Sequence, residues 1–136
     1  PDLMLPVDGA EGSIRSLSGV KQLIVCFIDP TREPTKHLLK EMSQLKREFE
    51  KQGNNILFVV PSDKLAPDFH FEAWDLPHSQ LIEDIGNRWT DSFIEATGNN
   101  FRNNFPAVFV IGGEGNILFF SEGYSIGTGN LIVQPR

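Results

Sequence analysis

Leu23-Ile24-Val25-Cys26-Phe27-Ile28-Asp29-Pro30-Thr31-Arg32-Glu33-Pro34-Thr35-Lys36-His37-Leu38-Leu39 decides the fold. Its first six residues are all apolar. A run that short suits a strand buried on both faces, in the middle of a parallel or mixed sheet. Asp29 and Pro30 end it. A helix is then predicted from Pro34, since a proline is tolerated in a first helical turn. Leu38, Leu39, Met42, Leu45 and Phe49 form its apolar stripe, with Lys, Glu and Arg opposite. Gly53-Asn54-Asn55 is a good stop near Gln52. Ile56-Leu57-Phe58-Val59-Val60 is a second buried strand, and a strand–helix–strand crossover places it parallel to the first. In open α/β sheets chemistry sits at the carboxyl ends of the strands. Here that is the turn 29–35.

Upstream, Asp8-Gly9 and Glu11-Gly12 are turn signals, and residues 3–7 and 14–17 are expected to form a short hairpin. Downstream, Phe69-His70-Phe71-Glu72-Ala73-Trp74 alternates like a short edge strand. Leu81, Ile82, Ile85, Trp89 and Phe93 recur at helical spacing, with Ser79 as a cap and Gly98 as a stop. Gly86 inside that helix would cost about 1 kcal/mol relative to alanine. Ala107-Val108-Phe109-Val110-Ile111 is a third buried strand. The dense turn 112–116 returns the chain as Ile117-Leu118-Phe119-Phe120, an antiparallel partner. Trp74 and Trp89 read as core. The fold class is α/β, with a central mixed sheet of four or five strands and helices on both faces.

The 136 residues, 40% of them hydrophobic, suffice for one domain with its own core. No stretch approaches the roughly 20 apolar residues of a membrane span. The net charge of −6, with scattered basic residues, argues against a nucleic-acid partner. One cysteine excludes an intrachain disulfide, a dithiol pair and a cysteine-rich zinc site. Cys26 lies in the most apolar strand and reads as a small buried hydrophobe. The three histidines lack close metal-ligand spacing. Gly112-Gly113-Glu114-Gly115 lacks the Gly-Lys-Ser/Thr ending of a phosphate loop. No cofactor or metal is expected. Because the chain begins at Pro1, it reads as a domain cut from a longer protein.

Asp29, Glu33 and His37 cluster at the turn. As a functional group they would be an acid/base or metal constellation. In the bland reading, Asp29 or Thr31 caps the helix and Glu33 favours its positive end. Arg32 opposes the helix dipole and is expected to pair with Asp29 or Glu33. Phe69, Phe71, Phe101 and Phe105 either surround the loop at Pro106 as a surface or pack the core.

The order of elements resembles the thioredoxin fold, and the wording agrees. Val7-Asp8-Gly9 and Ser16-Leu17-Ser18-Gly19-Val20-Lys21 look like the approach segment of two groups. These are the alkyl hydroperoxide reductase/thiol-specific antioxidant proteins and the extracytoplasmic thiol–disulfide oxidoreductases. Phe105-Pro106-Ala107-Val108-Phe109-Val110-Ile111 resembles the family's cis-proline strand, and Gly113-Glu114-Gly115-Asn116-Ile117 the turn after it. The resemblance implies a cis bond before Pro106 and places the catalytic Cys-x-x-Cys on Arg32-Glu33-Pro34-Thr35. Pro34 and Lys36 are retained, but both cysteines are replaced. Disulfide exchange needs a thiolate, so the resemblance implies a redox-inactive member without cofactor. Its groove would lie between 32–35 and Phe105-Pro106, with Asp29, His37 and Phe101 as possible contacts.

Ser121-Glu122-Gly123-Tyr124-Ser125-Ile126-Gly127-Thr128-Gly129 is similar to the end of thioredoxin-like domains that follow a transglutaminase-like domain in some secreted bacterial proteins. That resemblance implies an extracytoplasmic accessory domain whose partner is the preceding domain, or another protein or peptide. The alternatives are an unorthodox thiol–disulfide oxidoreductase, or new chemistry at Asp29, Glu33 and His37. The tail is short for a closing helix, so the domain either ends differently or leaves a sheet face open.

Overall fold

A computed structural model describes residues 4–7, 10–13, 22–113 and 115–134, with side chains described from residue 22 onward. Two strands, β1 (Met4–Val7) and β2 (Ala10–Ser13), form an antiparallel hairpin in which Val7 pairs with Ala10. Only Asp8 and Gly9 lie between them. The expected second strand, 14–17, lies outside the described residues. The partner strand is instead the preceding stretch, Ala10–Ser13.

Residues Leu23–Phe27 form β3, every one of them buried. They are followed by α1 (Glu33–Gln44) and α2 (Lys46–Gln52), which meet at Leu45. The Leu45 N–H reaches back to the carbonyls of both Glu41 and Met42, and the axis breaks there. Gly53 ends α2 in the left-handed region, at φ 68°, where glycine carries no Cβ penalty. The next strands are β4 (Asn55–Pro61) and β5 (Gln80–Asp84). After them come α3 (Arg88–Thr97), β6 (Ala107–Ile111), β7 (Ile117–Glu122) and the short α4 (Thr128–Val133).

Five strands make one mixed sheet, ordered β5-β4-β3-β6-β7. β3, β4 and β5 run parallel, and β6 runs antiparallel to both of its neighbours, β3 and β7. The period-two alternation of the strands sorts the core into two layers. Leu23, Val25, Phe27, Leu57, Val59, Phe109 and Ile111 face α3, packing with Trp89, Phe93, Phe101 and Phe105. Ile24, Cys26, Ile28, Phe58, Val60, Val108 and Val110 face α1, packing with Leu38, Leu39, Met42, Phe49 and Ile132. Both faces are covered, so the short tail closes the second face rather than leaving it open. Among the described residues no helix is long and apolar enough to cross a membrane.

Two expectations are corrected. Residues Phe71–Trp74 form a 3-10 turn rather than an edge strand. Their aromatic rings pack down onto the α1 face, where Phe71 meets Phe58 edge-on at 5.4 Å. Leu81 and Ile82 lie on β5 rather than on a helix, and the helix begins only at Arg88. Gly86 has φ +66° and Asn87 φ +58°, so the chain reverses there instead of continuing one helical stripe. Asp84, 1% exposed, ties the new helix down. One carboxylate oxygen accepts the Trp89 N–H at 2.8 Å, and the other accepts the Thr90 N–H and hydroxyl at 3.0 and 2.7 Å. Asp84 thereby satisfies donors that a helix N-terminus otherwise leaves open.

Candidate functional site at the end of β3

The turn after β3 is held by its own short polar side chains. The Thr35 hydroxyl accepts the Asp29 N–H at 3.0 Å, and Thr35 is fully buried. The Asp29 carboxylate accepts the Thr31 N–H at 3.0 Å and the Thr31 hydroxyl at 2.6 Å. Neither Asp29 nor Thr31 caps α1, which corrects that expectation. The N-cap position is Arg32, in an extended conformation without a side-chain cap. The Asx-type turn competes for the Asp29 oxygens and wins.

Arg32, Glu33 and Pro34 are exposed while Thr35 points inward. Glu33 meets Lys36 at 4.0 Å and His37 at 3.8 Å. Both pairs are solvent-exposed and contribute little. Arg32 pairs with neither Asp29 nor Glu33, and among the described residues it forms no ion pair. The expected constellation of Asp29, Glu33 and His37 does not assemble. Asp29 is held by Thr31, while His37 stacks on the Tyr124 ring at 5.5 Å and 21°. Among the described residues no group of three or more His, Cys, Asp or Glu side chains is placed to hold a metal.

Opposite the turn, the Phe105–Pro106 peptide bond is cis, as the resemblance implied. Phe105 lines a crevice of about 180 Å³ with Asp29 and Arg32 from the turn. Pro61, Asp63 and Lys64 enter from the end of β4, Asn87 and Thr90 from the start of α3, and Arg102 from the next loop. Arg102 is held by Asp91 at 2.7 Å, whereas Lys64 forms no ion pair among the described residues. Phe101, an expected groove residue, is fully buried and packs on Phe27 at 4.8 Å. Phe69 and Phe71 belong to the opposite face, so the four phenylalanines do not form one aromatic surface.

The sequence reading missed Lys64, Asn87 and Arg102. Lys64 follows the carboxyl end of β4, and Asn87 that of β5. The strand-end rule, applied to every parallel strand rather than to β3 alone, would have found both. Arg102 carries no such signal.

The chemistry available in the crevice is ionic and hydrogen-bonding. The lone thiol, Cys26, is fully buried inside β3, and burial pushes its pKa far above the ordinary thiol value. It can supply neither the exposure nor the thiolate that disulfide exchange requires.

No family model and no curated protein matches the sequence. Solved structures do. A thiol:disulfide interchange protein of the thioredoxin family from Chlorobium tepidum aligns at TM-score 0.64 and 17% identity, over 98% of this chain and 90% of that one. Peroxiredoxin Q from Xanthomonas campestris aligns at 0.60 and 18%, over 96% and 86%. The exposed lipoprotein thioredoxin Etrx1 from Streptococcus pneumoniae aligns at 0.59 and 16%, over 97% and 96%. At these identities the likeness is one of fold. With its five-stranded mixed sheet, cis-proline loop and helix-starting turn, the chain has the thioredoxin-like fold.

Proposed function

We propose that this chain is a redox-inactive thioredoxin-like domain that serves as an interaction or accessory module of a larger exported bacterial protein. The observation that carries the reading is the pair Arg32 and Thr35. They occupy the exposed and the buried position of the turn facing the cis-proline, and neither has a sulfur. The crevice between 29–35, Lys64 and Phe105-Pro106 is the contact surface. Its occupant is the preceding domain of the parent protein or an extended peptide. The likeness to an exposed lipoprotein thioredoxin supports an extracytoplasmic location. A thiol–disulfide enzyme is the competing reading, because two structural neighbours are named thiol:disulfide interchange proteins. It would have to use Cys26, which is buried.

The test compares amide spectra of the isolated domain and of the same domain within its parent protein. The proposal expects shifts at 29–35, 61–64 and 102–106, and their loss in an Arg32→Glu/Lys64→Glu variant. Identical spectra, or shifts confined to another face, would overturn it.

A further inference from the structure

A second concavity, of about 620 Å³, shares none of the crevice's residues. It lies between α1 and the segment 66–74. Pro30 and Leu39, both buried, and the half-buried Phe69 and Trp74 supply its apolar surface. The polar groups are few: Lys36 and His70, with Asp68 and Thr31. Thr31 is committed to Asp29 through both its N–H and its hydroxyl. Lys36 has only the 4.0 Å contact to exposed Glu33, and His70 makes no side-chain hydrogen bond or ion pair among the described residues.

The wall opposite α1 is fastened. The Lys46 ammonium donates to the Asp75 carboxylate at 2.8 Å, and the Ser43 hydroxyl donates to the Asp75 carbonyl at 3.1 Å. Asp75 itself takes φ +53°, which turns the chain back toward the sheet. The size of the cleft falls in the range of small-molecule sites, about 300–1,000 Å³.

We propose that this cleft binds a small amphiphilic anion, an aromatic or branched apolar body bearing one carboxylate. The body lies against Leu39, Phe69 and Trp74, and the carboxylate faces Lys36 and His70. Lys36 stands in the first turn of α1, where the helix dipole adds to the attraction for negative charge.

The test titrates the protein with 3-phenylpropionate and, separately, with its neutral amide, following backbone amide shifts. Saturable shifts at 30–39 and 66–74 are expected, with the amide about tenfold weaker. Lys36→Ala, at an exposed position, should weaken the carboxylate by a similar factor. Ala73→Trp, which fills the cleft from an exposed turn, should abolish binding while the rest of the spectrum stays that of the folded protein. Equal affinities for acid and amide would overturn the anion claim. Absence of saturable shifts, shifts at 61–64 and 102–106 instead, or undiminished binding to Ala73→Trp would overturn the site.

Discussion

Arg32 and Thr35 differ in what surrounds them, and that difference defines the site. Thr35 is buried because its hydroxyl closes the turn onto the Asp29 N–H. Arg32 is exposed and forms no ion pair among the described residues. Cys26 is the converse case, a reactive residue type placed where it cannot react. In the native protein it should resist iodoacetamide and become alkylated only on unfolding, as mass spectrometry in native buffer and in denaturant would show.

Glu41, which sequence reading did not single out, accepts three hydrogen bonds, as many as Asp84 does. One of its oxygens accepts the Tyr124 hydroxyl at 2.5 Å and the Gly127 N–H at 2.9 Å, and the other accepts the Gly129 N–H at 2.7 Å. Partial burial acts to raise its pKa, but these hydrogen bonds, with His37 nearby, outweigh burial and hold it below the ordinary carboxylate value. Unfolding releases that preference. The stabilisation is therefore fully present above the ordinary carboxylate pKa and is lost as pH falls through the lowered folded value. Urea unfolding of wild type and Glu41→Gln should differ near neutral pH and converge on acidification. Tyr124, the one tyrosine of the chain, shows the partner effect. Its hydrogen bond to Glu41, then burial and the carboxylate's charge, push its pKa up to about 12. Ultraviolet titration should find that midpoint move down toward the ordinary value in Glu41→Gln.

At the scale of elements, the β5–α3 unit depends on Asp84 and α4 depends on Gly129. Asp84→Ala removes the acceptor of three buried donors and should cost about 1–3 kcal/mol in urea unfolding, with the circular-dichroism spectrum retained. A Cβ on Gly129 would meet the Glu41 Cβ and Oε1 at 3.1 Å and Leu45 Cδ1 at 3.3 Å. Gly129→Ala should therefore destabilise by about 1–3 kcal/mol, measured the same way. Where one residue type had one physical meaning, the elements were legible in sequence. The all-apolar runs of β3, β4 and β6 were strands, and Gly53 and Gly98 ended helices. Reading failed between 61 and 101, where apolar residues answer to tertiary packing. Leu81, Ile82, Ile85, Trp89 and Phe93 fit a helical period, although the first two belong to a strand. Only the left-handed pair Gly86 and Asn87 separates them.

For the whole molecule, the parallel pair β3–β4 and the antiparallel pair β6–β7 follow from local signals, an apolar run, a helix and a second run in one case and a glycine-dense turn in the other. The cis bond before Pro106 was implied by the resemblance, and the full sheet order emerges only in the structure. The candidate site was half legible. The turn 32–35 and Phe105-Pro106 were in sequence, and Asp29 does line the crevice. Lys64, Asn87 and Arg102 come from loops that only the fold brings together. Phe101, which the sequence left open between a groove contact and the core, is core because Phe27 sits at the centre of an aromatic group with Phe93, Phe101, Phe105 and Phe109. Its truncation would cost about 3–5 kcal/mol.

The central claim is that a thioredoxin-like turn has kept its shape and lost its chemistry. The most direct measurement is reduction of a peptide disulfide driven by dithiothreitol, run on the wild-type chain and on Arg32→Cys/Thr35→Cys. The account predicts that wild type does not exceed the rate of dithiothreitol alone. The double variant, with one thiol exposed and one buried a helical turn apart, should gain turnover. Wild-type turnover abolished by Cys26→Ser would contradict the account, as would a folded double variant whose two thiols cannot form a disulfide.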